Sequence, residues 1–159
     1  MNNWYNSSLA PFVPTPEEVV RQMLTLAEVK PGEKVYDLGC GDGRILVIAA
    51  KEFGAEAIGV ELNLERVKLG REKVSSLGLD KKVKIVYGDI FDLDISPADV
   101  VTLYLTTSAN EKLKPKLEKE LRPGTRVVSH DFTMPGWKLV KMDRVQEDYR
   151  VHTIYLYNR

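Results

Sequence analysis

The sequence has little cysteine and no long apolar run. Cys40 is the single cysteine among 159 residues. An intrachain disulfide needs two cysteines and a cysteine-based zinc cluster needs several, so both are excluded. No run of apolar residues approaches the roughly 20 that a membrane-spanning helix requires. We therefore expect a cytoplasmic protein that does not bind a membrane.

An excess of charge of one sign is also missing. The 23 Lys and Arg residues are balanced by 23 Asp and Glu residues. Proteins that mainly grip a nucleic-acid backbone usually carry a basic surplus, so we expect no direct nucleic-acid binding. A chain of 159 residues fits one domain and can bury a substantial core. We predict a single domain over residues 1–159, with an N-terminal arm over 1–15 and a core over 16–159.

Helix and strand patterns alternate after this arm. Apolar residues at helical spacing predict helices over residues 16–28, 44–53, 64–76 and 110–121. Alternating or short apolar runs predict strands over residues 35–38, 57–61, 83–87, 99–105, 125–129, 138–145 and 151–157. This order predicts an α/β, Rossmann-like fold with a mostly parallel sheet and helices on both faces. The last two strands are expected to pair antiparallel.

Local signals place the helix starts and one irregular link. Thr15 is the expected N-cap of the first helix, with Glu18 completing a capping box. Asn63 is the expected N-cap of the third helix. A regular parallel crossover needs about a dozen residues. The stretch between Ser129 and Lys138 is too short for one, so we predict an irregular link there.

A glycine-rich stretch over residues 37–43 leaves the first strand and opens a helix. Glycines allow a tight turn and close approach of a ligand to the backbone. The dinucleotide fingerprint requires its third glycine where Arg44 stands. Asp37 and Asp42 would repel a pyrophosphate but suit the ammonium and sulfonium groups of S-adenosylmethionine. We predict that this cofactor contacts the loop, the alternative being a tight turn without a ligand; the loop glycines are Gly39, Gly41 and Gly43.

Two further acids follow the next strands. Glu61 ends the second strand, where an acid can bind the ribose hydroxyls of an adenosine. Asp89 follows the third strand and can accept from the adenine amino group, while Ile90 can pack on the ring. The plainer alternatives are a neighbour of the helix cap for Glu61 and a polar loop residue for Asp89. Carboxyl ends of parallel strands meet at one edge, so we expect these acids to converge there.

Residues 37–43, Glu61 and Asp89–Ile90 resemble the class I, seven-stranded S-adenosylmethionine-dependent methyltransferases. Longer stretches, at residues 11–16, 35–45, 113–118 and 123–130, resemble the small archaeal non-SET protein-lysine methyltransferases. The resemblance implies S-adenosyl-L-methionine as cofactor and a seven-stranded sheet with an antiparallel last strand. It also implies methyl transfer to the ε-amino group of protein lysines, with broad substrate preference. In that family the arm folds over the cofactor, so Phe12 and Thr15 are expected to help close the site.

Lysine is mostly protonated near neutral pH, because its ordinary pKa is about 10.4. A desolvated aromatic channel lowers that pKa and also tolerates a methylammonium product. Tyr104, Phe132 and Trp137 follow the fourth and fifth strands and are the candidate walls, with His130 a candidate proton acceptor. Core or hairpin packing is the alternative for the aromatic residues, and a structural hydrogen bond is the alternative for His130.

The segment over residues 102–107 lacks the Asn-Pro-Pro-Tyr pattern that many amide and base methyltransferases carry after the fourth strand. That departure disfavours a DNA-adenine or glutamine methyltransferase and fits a site for a flexible amine. We expect a monomeric enzyme that acts on proteins with exposed lysines. Two alternatives stay open, namely a methyltransferase for a small molecule or RNA and a non-catalytic S-adenosylmethionine-binding protein.

Overall fold

The computed structural model describes residues 13–147 and 149–159. Phe12, predicted to help close the cofactor site, lies outside these residues. Within them the helices are α1 (Glu17–Leu26), α2 (Arg44–Phe53), α3 (Leu64–Ser76) and α4 (Thr107–Glu120). The strands are β1 (Lys34–Leu38), β2 (Glu56–Glu61), β3 (Val83–Tyr87), β4 (Val100–Leu103), β5 (Arg126–His130), β6 (Lys141–Glu147) and β7 (Arg150–Asn158).

The strands form one sheet of seven in the order β3-β2-β1-β4-β5-β7-β6. Strands β1 to β5 pair in parallel, whereas β7 runs antiparallel to both of its neighbours, β5 and β6. The predicted Rossmann-like sheet with an antiparallel last strand is therefore confirmed. The strand order reverses between β1 and β4, and open α/β sheets bind ligands beyond the carboxyl ends of strands at such a point.

Helices cover both faces of the sheet, as the sequence pattern predicted. Helices α1, α2 and α3 pack on one face, where Leu24, Leu46 and Val67 are fully buried. Helix α4 covers the other face and buries Leu113 and Leu117. No helix in the described part of the chain is both long and apolar enough to cross a bilayer.

The predicted cap of α1 is wrong, whereas that of α3 is confirmed. Pro16 occupies the N-cap position of α1, and no side chain caps this helix. Thr15 is instead buried at 4% exposure, with its hydroxyl 3.0 Å from His130 Nδ1 on β5. The Asn63 side chain accepts a hydrogen bond from the amide of Arg66 at 3.1 Å.

The link between β5 and β6 is irregular, as its length predicted. Residues 131–140 contain a turn but no helix. Asp131 begins the link with φ of 63°, a conformation that non-glycine residues seldom adopt. Its carboxylate accepts from the amide of Thr153 at 3.1 Å and from Arg150 at 2.8 Å. These contacts attach the start of the link to β7.

Candidate active site

A cleft, partly open to solvent, lies at the carboxyl ends of β1, β2 and β4. Its floor is the glycine-rich loop between β1 and α2. One wall is formed by residues 13–15, which precede α1, and another by Tyr104 and Leu105, which follow β4. The cleft therefore occupies the position where the strand order reverses, as the fold predicts for a ligand site.

The glycine loop is held tightly against β2. The φ angles of Gly39, Gly41 and Gly43 are 83°, 56° and 83°, values that residues with a Cβ atom rarely adopt. The amides of Gly39 and Cys40 both donate to the carbonyl of Val60 at 2.9 Å. Gly43 is the N-cap of α2, so the loop leads directly into the amino end of that helix. The positive φ angles explain why glycine recurs at every second position of the loop.

Asp37 is a buried carboxyl at the end of β1. Its side chain is 3% exposed and accepts a hydrogen bond from Thr102 Oγ1 of β4 at 2.8 Å. Burial raises the pKa of Asp37 to about 7, the Thr102 hydrogen bond opposes this rise, and the nearby Glu61 and Asp42 charges add to it. A bound cation would favour the ionised form of this carboxyl, so Asp37 suits a positively charged ligand.

Two further carboxylates line the cleft. Glu61 is buried at 5% exposure, and its two oxygens accept from the amides of Gly41 at 2.9 Å and Asn63 at 2.8 Å. Partial burial favours the neutral acid of Asp42, but hydrogen bonds and charge from Arg44 outweigh it and keep the pKa of Asp42 below its ordinary value. Asp37, Asp42 and Glu61 therefore line one cleft, whereas Asp89, the third acid expected to converge at this edge, does not line it.

The aromatic residues next to the cleft form a stack. The Tyr104 ring lies 3.8 Å from the His130 ring, centroid to centroid, with 30° between their planes. The Tyr104 ring also stacks on the Phe132 ring, and their centroids are 6.3 Å apart. The structure thus brings together three of the four residues predicted for the substrate channel. Their role toward a lysine stays a prediction.

Comparison with known proteins identifies the family of this chain. A family model described as the ANTKMT methyltransferase domain matches residues 37–141. The chain belongs to this family. The matched residues include the glycine loop, Glu61 and the Tyr104, His130 and Phe132 stack. The resemblance to class I methyltransferases, stated from the sequence, is therefore confirmed.

Individual relatives of this ANTKMT-family chain agree with that assignment. A protein-lysine N-methyltransferase of Saccharolobus islandicus (strain REY15A) is 52% identical over 148 residues, which cover 92% of each chain. The adenine nucleotide translocase lysine N-methyltransferase of Mus musculus is 36% identical over 89% of this chain, which spans only 63% of that relative. A crystal structure of an RNA methyltransferase from Salinibacter ruber with S-adenosyl-L-homocysteine superposes with TM-score 0.85 and 44% identity, covering 92% of this chain and 93% of that chain.

Trp137 does not join the aromatic stack of this ANTKMT-family site. The indole Nε1 donates to Glu118 Oε2 of α4 at 3.2 Å, and the ring meets Tyr157 edge-on at 5.8 Å. The guanidinium of Arg159 lies 5.1 Å from the ring centroid. The turn at residues 134–137 directs the indole toward α4 and β7. Trp137 therefore packs against these two elements rather than beside the cleft.

Asp89 and Ile90 are not among the residues that line the cleft. Asp89 Oδ1 accepts from the amide of Phe91 at 2.9 Å, which fixes the turn after β3. Ile90 is 5% exposed and packs in the core beneath α4. Their predicted contacts with an adenine ring stay predictions.

Several residues that shape the site were missed from the sequence. Asn110 of α4 is fully buried, and its amide donates to the carbonyls of Thr133 at 3.0 Å and Phe132 at 3.3 Å. It therefore fixes the segment that carries Phe132. The sequence did carry a signal, because Asn110 is a polar residue on the apolar stripe of α4. It precedes Leu113 by three positions and Leu117 by seven.

Arg44 and Thr102 were also missed, for a different reason. Arg44 Nη1 donates to the carbonyl of Thr15 at 3.2 Å and so holds residues 13–15 against the glycine loop. Thr102 binds Asp37 across the β1–β4 pair, where the two residues face each other in register. Both contacts depend on strand pairing or chain reversal, which no local motif encodes.

Proposed function

We propose that this protein transfers a methyl group from S-adenosyl-L-methionine to the ε-amino group of lysine residues in proteins, with broad substrate preference. The observation that carries this proposal is one continuous cleft with two kinds of wall. Three carboxylates and a glycine loop form the cofactor end, and the Tyr104–Phe132 stack borders it. The names of the Saccharolobus and Mus musculus relatives, both lysine N-methyltransferases, support the same acceptor.

S-adenosyl-L-methionine is the cofactor of this family, and the expectation made from the sequence is confirmed. The Salinibacter structure, 44% identical, holds S-adenosyl-L-homocysteine. When bound, the cofactor supplies a methyl group already activated on a sulfonium. The residues of this chain fit such a cation, because Asp37 is a buried carboxyl whose hydrogen-bond partner, Thr102, is neutral. Asp37, Glu61 and the loop glycines would hold it.

Tyr104 and Phe132 act on the acceptor side of the proposed reaction. In-line displacement at an activated methyl group needs alignment of the reactants and exclusion of water rather than strong acid–base chemistry. Tyr104 lines the cleft, and Phe132, which stacks on Tyr104, is half-buried like it, so the pair offers an apolar surface on which an entering lysine side chain can lose contact with water. Such desolvation favours the neutral, nucleophilic amine.

His130 is poorly suited to the proton-acceptor role considered from the sequence. Both ring nitrogens are engaged, Nδ1 with Thr15 at 3.0 Å and Nε2 with His152 at 2.8 Å. Burial lowers the pKa of His130 to about 4. The charge of Asp131 opposes this shift, whereas His152 and Arg150 add smaller contributions to it. In this proposal the proton of the substrate ammonium leaves to solvent through the open side of the cleft.

The decisive experiment offers radiolabelled S-adenosyl-L-methionine and separate acceptors to the purified protein. The acceptors are several unrelated proteins, total RNA and a set of small amines. We expect label on lysines of more than one protein, mapped by mass spectrometry. Label confined to one protein would contradict the broad preference alone. The variant Asp37→Ala, which lacks the buried carboxyl, serves as the inactive control.

RNA methylation is the second candidate function, because the Salinibacter relative is described as an RNA methyltransferase. The 23 basic residues are balanced by 23 acidic ones, so the chain lacks the basic surplus that is usual in proteins that grip a phosphate backbone. Label transferred to RNA but to no protein would therefore replace the lysine proposal with this one.

A further inference from the structure

A chain of buried hydrogen bonds leads from β7 to the cofactor cleft. His152 Nδ1 lies 2.8 Å from His130 Nε2, and His130 Nδ1 lies 3.0 Å from the hydroxyl of Thr15. At the other end, His152 Nε2 lies 3.2 Å from the carbonyl oxygen of Glu147. The exposed fractions of His152, His130 and Thr15 are 2%, 0% and 4%, so water has little access to the two bonds that join these three residues.

The carbonyl at one end fixes the direction of the whole chain. A carbonyl oxygen only accepts, so His152 Nε2 carries the hydrogen that points to Glu147. A neutral imidazole has one N–H, and His152 Nδ1 must therefore accept from His130 Nε2. His130 Nδ1 is then left as an acceptor for the hydroxyl of Thr15. The tautomer of His130 is thus assigned by the network that His152 anchors.

Both walls of the cleft depend on His130. Thr15 lines the cleft, and its carbonyl is held by Arg44 while its hydroxyl is held by His130. The same imidazole stacks on Tyr104, which also lines the cleft. A change in the orientation of His130 would therefore move the Thr15 side and the Tyr104 side together.

We propose that His152, which does not line the cleft, is a positioning residue that fixes the Thr15 wall of the cofactor site through His130. The proposal rests on the proposed function, because it assumes that this cleft binds S-adenosyl-L-methionine. His152 touches neither reactant in this account. It supplies the acceptor that keeps His130 in the tautomer and orientation that hold the Thr15 hydroxyl.

A metal site is the competing explanation for this cluster, since His130, His152 and Asp131 bring three ligand atoms within 4.8 Å of one another. The facing lone pair of His152 is used by His130 in a direct hydrogen bond of 2.8 Å. Asp131 Oδ2 lies 3.5 Å from His130 Nε2 but is paired with Arg150 at 2.8 Å. The three candidate ligand atoms are thus bound to one another or to Arg150. A hydrogen-bond chain therefore describes this cluster better than a metal site does.

The test compares two replacements of His152 that are similar in shape but differ in polarity. His152→Asn places an amide oxygen near the position of Nδ1 and keeps an acceptor for His130, whereas His152→Leu removes that acceptor. We expect His152→Leu to weaken binding of S-adenosyl-L-methionine about five- to tenfold, the effect of one buried hydrogen bond, measured by titration calorimetry. His152→Asn should stay within about twofold of the wild type. Equal losses in both variants, or no loss in a folded His152→Leu protein, would overturn the proposal.

Thr15 provides an independent arm if His152→Leu fails to fold. Thr15→Val removes the hydroxyl at constant shape and should weaken cofactor binding by a similar factor, and by more than Thr15→Ser, which keeps the hydroxyl. Thr125→Val is the matched control, because Thr125 is equally buried but binds the carbonyl of Ala98 at the opposite end of β5. Wild-type affinity in Thr15→Val, or a loss of equal size in Thr125→Val, would contradict the proposal.

A double-variant cycle tests whether the two residues act through one chain. If His152 acts only through Thr15, then His152→Leu combined with Thr15→Val should bind the cofactor about as weakly as Thr15→Val alone. Losses that multiply would contradict a shared route. Failure of the wild-type protein to bind S-adenosyl-L-methionine would instead overturn the proposed function, so the two failures are distinguishable.

Discussion

Replacement of Asp37 by asparagine is expected to stabilise the cofactor-free protein while it abolishes cofactor binding. Burial raises the pKa of Asp37 from 3.8 to about 7. Between these two pH values the folded protein binds a proton that the unfolded chain does not. The free energy of unfolding therefore decreases as pH rises through this interval and remains low above it. Asparagine cannot ionise, so the variant escapes this loss.

The size of the effect follows from the same interval. Each unit of pKa difference between the folded and unfolded states corresponds to about 1.36 kcal/mol. The rise in the pKa of Asp37 from 3.8 to about 7 therefore lowers the free energy of unfolding by at most roughly 4 kcal/mol once the carboxyl is ionised. Relaxation around the charge reduces this, and we expect a gain of about 2–4 kcal/mol for Asp37→Asn at pH 8. The amide oxygen of asparagine can still accept from Thr102 Oγ1, which binds Asp37 at 2.8 Å.

Thermal unfolding of the cofactor-free proteins between pH 4 and pH 8 measures this effect. For a chain of this length, the expected gain corresponds to a rise of about 5–15 °C in the unfolding midpoint at pH 8. The difference should shrink toward zero near pH 4, where Asp37 is protonated in the folded state. Asp42→Asn is the control from the same loop, because the pKa of Asp42 is lowered and its charge is paired with Arg44. Equal or lower stability of Asp37→Asn at pH 8 would refute the reasoning.

Three further changes give distinct expected outcomes. Thr102→Val removes the hydrogen bond to Asp37 and should raise the pKa of that carboxyl, shifting the pH dependence of cofactor affinity to higher pH in calorimetric titrations. Gly59→Ala would place a Cβ 2.5 Å from Cys40 Cβ, so denaturant unfolding should show a loss of about 1–3 kcal/mol. Tyr104→Ala removes the ring that stacks on His130 and Phe132, so we expect at least about a tenfold loss of kcat/KM in methyl transfer, with Tyr104→Phe close to wild type.

The fold was predictable because its signals are local and repeated. Apolar residues at helical or strand spacing occur in every element, and Gly54 and Asn63 mark a helix end and a helix start that the structure retains. The convergence of Asp37 and Glu61 was predictable as well, because the carboxyl ends of parallel strands meet at one edge. These inferences needed the order of elements but no knowledge of side-chain packing.

The errors came from contacts between distant parts of the chain. A threonine before a helix is usually a cap, but Thr15 binds His130, 115 positions away, and a buried hydrogen bond replaces the local cap. The direction of the irregular link after β5 decides where Trp137 packs, and that direction depends on α4 and β7 rather than on neighbouring residues. His152 stands inside a strand without any motif, so its role could not be read before the pairing of β5 and β7 was known.

The position of β7 between β5 and β6 has a consequence for the order in which this protein assembles. β7 follows every other described strand in the sequence, yet it is an interior strand, and β6 joins the sheet only through it. The edge of β5 must therefore remain unpaired until β7 has been made and has docked. Until then β5 presents open backbone groups to other chains. Deletion of β7 would cost the sheet two strands rather than one, together with the tyrosine hydroxyl that binds the Met134 amide.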